Sequence, residues 1–128
     1  MKKCFNTERG PKAVGPYSTC TYTEDTVFVS GMIPINPETG EIVEGGVEAQ
    51  AKQSLENIKT VLEEMGLSMA HVLKTTVLLT DLDAFGKVNA IYGEYFAPNF
   101  PARACFEVSR LPKGAMIEIE AVAARNID

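Results

Sequence analysis

Residues 47–65 constrain this chain more than any other stretch. Val47, Ala51, Leu55, Ile58, Leu62 and Met65 recur at spacings of 4, 4, 3, 4 and 3 residues, one continuous apolar stripe at the helical period. Gln53, Glu56, Lys59, Thr60 and Glu63 fall mostly on the wet side. A helix divided in this way must lay its stripe on a second layer. Gly66 is placed to stop it, because glycine enters the left-handed backbone of a helix end at little cost.

A shorter helical pattern follows. Asp81 or Asp83 can cap it, Phe85, Val88, Tyr92 and Tyr95 or Phe96 form its apolar face, Ala84 and Ile91 flank that face, and Pro98 ends it. The remaining periodic segments read as strands. Residues 17–23 are rich in Thr and Tyr, residues 26–30 follow a turn near Asp25, and residues 72–80 are β-branched and apolar, which suits a buried strand. Pro34 and Pro37 break the stretch after Gly31 into a loop. Ala102, Ala104, Phe106 and Val108 alternate with Arg103, Cys105 and Glu107, and Ile117, Ile119, Ala121 and Ala123 alternate with Met116, Glu118, Glu120 and Val122. The order reads βββαβαββ, an α+β arrangement.

Two helices cover one face of a sheet of about six strands. The other face is expected to carry Arg103, Cys105, Glu118 and Glu120 beside apolar neighbours, and to be completed by self-association. Charged residues at clefts between copies are then candidates for a small-molecule site.

Composition narrows the function. The 128 residues make one domain, 1–128, and the 45% hydrophobic and 23% charged content is that of a globular chain. No apolar run approaches the roughly 18 residues that span a bilayer, and Met1 to Asn6 is not read as a signal peptide. Cys4, Cys20 and Cys105 are odd in number and widely spaced, so reduced thiols and a cytoplasmic location are expected, each thiol packed as a small hydrophobe. A net charge of −5 argues against nucleic-acid binding. His71 is the single histidine, and no CxxC pair exists, so no metal site is expected and most histidine-based catalysis is removed. His71 reads as a half-exposed residue at a helix-to-strand junction.

Arg103 between two alanines offers a planar fork for a carboxylate or phosphate; a structural ion pair with Glu107, Glu118 or Glu120 is an equal alternative. Glu118 and Glu120 project from one face and can hold or activate a water, and a carboxylate beside arginine stays ionised. Cys105 lies beside Arg103, whose charge could lower the thiol pKa, yet a Cys–His or Ser–His triad finds no support. Backbone N–H groups at Ser30-Gly31 can meet an anion, although turn chemistry accounts for that pair equally well. No GxGxxG, Walker loop or EF-hand motif is present.

Several segments together resemble one family. They are Gly15-Pro16-Tyr17-Ser18, the run from Ser30-Gly31-Met32 to Thr39-Gly40, the run from Gln50-Ala51 to Glu56-Asn57, Lys74-Thr75-Thr76-Val77, and the run from Phe100 through Arg103, Cys105 and Arg110-Leu111-Pro112-Lys113 to Glu118-Ile119-Glu120-Ala121. They resemble the reactive intermediate deaminase family, also called the Rid or YjgF family, over nearly the whole chain. The resemblance implies a chorismate-mutase-like fold with a mixed six-stranded sheet, and a homotrimer with sites between subunits. It implies hydrolysis of 2-enamino and 2-imino acids, such as 2-aminoacrylate and 2-iminobutanoate, to 2-keto acids and ammonia. Pyridoxal-phosphate-dependent dehydratases would supply these substrates, and the deaminase itself would use no cofactor or metal.

Carried over by position, Arg103 clamps the substrate carboxylate and Glu118 orients the attacking water. The backbone of Cys105 contacts the reacting nitrogen, and Tyr17, Ser30, Gly31 and Asn89 line the pocket. Met32 stands where the family commonly has glutamine, and the loop before Phe100 is short; both bear on pocket shape. The same resemblance leaves two other functions to test, an endoribonuclease or translation inhibitor, and a ligand sensor or holdase without turnover.

Overall fold

A computed structural model of the chain describes residues 1–126. Its elements run β1 (Lys3–Phe5), β2 (Cys20–Tyr22), β3 (Thr26–Met32), α1 (Gly46–Glu64), β4 (Val72–Leu79), α2 (Phe85–Phe96), β5 (Ala102–Glu107) and β6 (Ile117–Ala124). This is the βββαβαββ order, with its first strand at Lys3–Phe5, a segment the sequence reading did not assign. The six strands form one mixed sheet in the order β1-β2-β3-β6-β4-β5. All neighbours are antiparallel except β4 and β5, which run parallel around the α2 crossover.

The stripe of α1 does what its period requires. Leu55, Ile58, Val61 and Leu62 are fully buried, each contributing about 1.5–3 kcal/mol by leaving water. They meet Val27, Val77, Ile117, Ile119 and Ala123 on one face of the sheet, and Val88, Tyr92 and Phe96 of α2 close the same core. Gly66 has φ 77° and follows the last turn of α1 as expected.

Five expectations need correction. Residues 17–19 precede β2 rather than forming part of it: Tyr17 N–H donates to Gly15 O and the Tyr17 hydroxyl accepts from Val14 N–H, so local bonds close a loop there. Asp81 caps a short 3-10 turn, Leu82–Ala84, and not α2 itself. Phe85 is 39% exposed instead of sitting in the core. Cys4, on the edge strand β1, is exposed, whereas Cys20 is buried and its thiol is pushed up to about 12 by burial and by the Glu64 charge.

The largest correction concerns the faces of β5. Paired residues in a sheet share a face. Arg103 pairs with Thr75 and Cys105 with Val77, and these pair with Ala121 and Ile119 of the core. Arg103 and Cys105 therefore point to the helix side. Glu118 and Glu120 pair with Leu78 and Thr76 and point to the open side. The open side also carries Phe28 and Phe106, 52% and 55% exposed. Alternation in β5 is real, but its apolar side is the uncovered one, because that face is itself apolar.

Candidate active site

The residues singled out from the sequence fall into two groups on opposite faces of the sheet. The first is built by β5 and α2. Arg103 Nη1 donates to Asn89 Oδ1 at 2.8 Å. The Arg103 guanidinium carbon lies 5.2 Å from the Phe85 ring centroid and 4.8 Å from that of Tyr92. Residues 85, 89 and 92 are spaced 4 and 3 apart, so one stripe of α2 supplies all three contacts. Tyr92 is fixed in turn: its hydroxyl bonds Thr75 Oγ1 at 2.6 Å, and its ring lies 4.6 Å from that of Phe96. Cation–π contacts of this kind hold a guanidinium by about 0.5–2 kcal/mol each.

One Nη1 donor is committed to Asn89, and Arg103 helps line a concavity of about 420 Å³ with Gly93, Phe100 and Pro101. No ion pair with Glu107 or Glu118 claims the arginine: Glu107 Oε1 accepts from Leu82 N–H at 2.9 Å, and Glu118 is on the other face. Cys105 packs against the core. Burial pushes its thiol up, and the Arg103 charge only partly opposes this, so a nucleophilic thiol is disfavoured.

The second group lies at the junction of β3 and β6. Tyr17, Ser30, Gly31, Ile33, Glu118 and Glu120 line a groove of about 360 Å³. Ser30 and Gly31 sit where the β3–β6 register shifts, a bulge that re-aims the strand. The Ser30 hydroxyl donates to Ser18 O at 2.7 Å and ties down the loop that presents Tyr17. Gly31 has a steric reason. A Cβ built there would stand 2.5 Å from Glu118 Oε2 and 2.8 Å from its carboxyl carbon, so only glycine lets the carboxylate lie against the β3 backbone.

Among the described residues, no arginine charge acts on Glu118 within the chain. Burial, and next the like charge of Glu120, raise its pKa above the ordinary carboxylate value. Within one chain, therefore, Arg103 is not the group that sets the ionisation of Glu118, and the raised pKa suits a carboxyl that gives and takes protons.

The geometry joins Arg103 with Asn89, and Glu118 with Tyr17, Ser30 and Gly31; it does not join the two sets within one chain. Phe85 and Tyr92 belong to the first set, but their helical spacing reads as core rather than as a cradle for Arg103. His71 is a half-exposed residue just before β4, and its Nδ1 accepts from Ser68 N–H at 3.1 Å as part of a capping box. The neighbouring Ser68–His71 hydroxyl contact belongs to this cap. Among the described residues, no three His, Cys, Asp or Glu side chains converge in a cluster suited to a metal ion, and no helix is long and apolar enough to cross a membrane.

The chain as a whole is similar to known proteins. A family model described as Endoribonuclease L-PSP matches residues 7–125. A RutC family protein of Pyrococcus abyssi is 52% identical over 95% of this chain and 96% of its own length. A human protein named 2-iminobutanoate/2-iminopropanoate deaminase is 46% identical over 96% of this chain and 90% of its own. The crystal structure of Escherichia coli TdcF with bound serine superposes with a TM-score of 0.91 at 42% identity, covering 97% of this chain and 99% of that one.

Proposed function

The chain belongs to the endoribonuclease L-PSP family, the YjgF/Rid family, and we propose that it hydrolyses 2-imino and 2-enamino acids to 2-keto acids and ammonia. The observation that carries the reading is the division of the site. A prepositioned guanidinium and a buried carboxyl stand on opposite faces of one sheet, and each lacks the partner the chemistry needs. A second copy supplies it: the apolar open face with Phe28 and Phe106 packs between copies in a homotrimer, and Arg103 of one copy meets the Glu118 groove of the next. Relatives named as 2-iminobutanoate/2-iminopropanoate deaminases point to the same substrates.

In this reading Arg103 binds the substrate carboxylate through charge-assisted hydrogen bonds of about 1.5–3 kcal/mol each. An enamine takes a proton at C3 and becomes the imine. Glu118 holds a water, accepts its proton as the oxygen adds to C2 and passes it to the imine nitrogen; the carbinolamine hydroxyl proton then moves to that nitrogen as the C–N bond breaks, releasing ammonia and the 2-keto acid. Positioning and proton transfer are the whole task, so no cofactor or metal is required. A pyridoxal-phosphate-dependent dehydratase in the same cytoplasmic compartment releases such unstable products.

The family's ribonuclease description is a second reading, which the net charge of −5 and the Glu118–Glu120 groove oppose, since both repel a phosphate backbone. One experiment separates these readings. Freshly generated 2-aminoacrylate or 2-iminobutanoate is supplied in a keto-acid-coupled assay beside an RNA degradation gel. Keto acid without RNA loss is expected; binding without turnover would leave a sensor or holdase. Arg103→Ala and Glu118→Gln, each inactive alone, are then refolded together. Random pairing restores about a quarter of the wild-type sites if each site joins two copies, and no restoration rules out the shared site.

A further inference from the structure

The Glu118 groove lies where the sheet gives least support. β3 ends at Met32, Pro34 follows, and the chain bends through Ile33 and Ile35 before α1. Beyond Met32 the ladder to β6 stops, and the bend keeps local backbone bonds, Ile35 N–H to Ile33 O at 2.8 Å, Val43 N–H to Pro34 O at 3.0 Å and an isolated Ile35–Ile42 bridge. Its carbonyls are nevertheless buried, because Ile33 and Ile35 are 8% and 5% exposed and form a small apolar cluster with Ala115, apart from the main core.

One side chain of α1 ties this bend to the helix layer. Asn57 is 1% exposed. Its Nδ2 donates to Ile35 O at 2.9 Å and to Ile33 O at 3.4 Å, and its Oδ1 accepts from Gln53 Nε2 at 2.8 Å, which sets the amide's orientation. Gln50, on the same face of α1, accepts from Met116 N–H at 2.8 Å. The two amides thus grip the chain two residues after Gly31 and two residues before Glu118.

We propose that Asn57 is a positioning residue for the Glu118 half of the site, holding the Ile33–Ile35 bend that walls the groove against which Glu118 is packed. The inference rests on the reading of Glu118 as the water-holding acid. It separates two ways a site can lose rate. Substrate carboxylate binding belongs to Arg103, whose Asn89, Phe85 and Tyr92 contacts do not involve Asn57, so loss of Asn57 lowers kcat with little change in KM. Loosening the wall also admits water to Glu118. Within one chain the titratable groups sharing its groove are Glu120 and Tyr17, and in the proposed assembly Arg103 of the neighbouring copy faces it too; none of these changes in sequence, so in a variant that sediments like the wild type a shift at Glu118 reports the wall.

The test titrates the Glu118 carboxyl by carbon-13 NMR in the wild-type assembly and in Asn57→Ser, and measures 2-iminobutanoate turnover in the same samples. Ser54→Ala is the control: Ser54 is as buried on α1, and among the described residues its hydroxyl has no partner. In Asn57→Ser, Glu118 is expected to titrate at lower pH and kcat to fall about tenfold, with KM nearly constant; Ser54→Ala is expected to change neither. Should Asn57→Ser not fold, Gln53→Ala removes only the bond that orients the amide and is expected to move both readouts the same way by less. Wild-type titration and kcat in the folded variant overturn the proposal. A shifted Glu118 in a protein that turns over no 2-imino acid overturns the functional reading instead and leaves the wall's role standing.

Discussion

The two halves of the candidate site are built by different means. The Arg103 half rests on regular structure: a strand residue is held from a single helix stripe by an amide and two aromatic rings. The Glu118 half rests on irregular structure: a bulge, a proline-broken bend and a glycine with no room for a methyl group. A binding group that must present a fork to a carboxylate benefits from rigid, redundant support. An acid that must exchange protons benefits from burial beside a like charge, which a loop-lined groove provides. Substitutions that touch one half should therefore differ in kind from those that touch the other.

The largest expected effect breaks the binding half. Arg103→Ala should lower kcat/KM for 2-iminobutanoate by about 10²–10³-fold while the melting curve stays cooperative. Arg103→Lys should be nearly as poor, because a point charge cannot replace the fork; near-wild-type turnover by the lysine variant would sink the clamp assignment.

Next comes the acid half. In Gly31→Ala the new Cβ must displace the Glu118 carboxylate, and kcat should fall about 10–100-fold with a smaller change in KM. A KM effect of equal size would mean that Gly31 serves carboxylate binding instead.

A smaller effect tests the electrostatics. Burial and the charge of Glu120 hold the Glu118 pKa above its ordinary value. If ionised Glu118 accepts the water proton, activity falls as pH drops through that pKa. Glu120→Gln removes a like charge, lowers the Glu118 pKa, and should carry the acid limb to lower pH; a limb that stays put or rises contradicts the assignment. The smallest effect is at Cys105, whose thiol is pushed up by burial: Cys105→Ser should keep most of the activity, and complete loss in a folded protein would restore a thiol mechanism.

What the sequence makes legible follows from how long a pattern each residue belongs to. The stripe of α1 persists through six apolar positions, and no other conformation satisfies it, so the helix, its stop at Gly66 and its burial all emerge. The alternation of β6 is likewise read correctly onto two faces. The side of β5 is not legible, because Ala-Arg-Ala-Cys-Phe-Glu alternates without saying which face is covered, and the uncovered face is apolar. Tyr17 sits in a stretch of strand-forming residues, yet Gly15, Pro16 and a local hydroxyl bond close it into a loop. Resemblance names Arg103 and Glu118, but only the pairing register shows that one chain holds them apart. Phe85, Tyr92 and Asn57 escape sequence reading because their service is to another residue.

The open sheet face carries one more consequence, in mass action. If each site is shared between copies, the folded chain and the working enzyme are different species linked by an association equilibrium. Dilution would then lower the activity per chain while circular dichroism stayed constant, and an excess of copies lacking Arg103 would poison intact ones by capping their Glu118 grooves. Cellular abundance itself would set the turnover each polypeptide delivers.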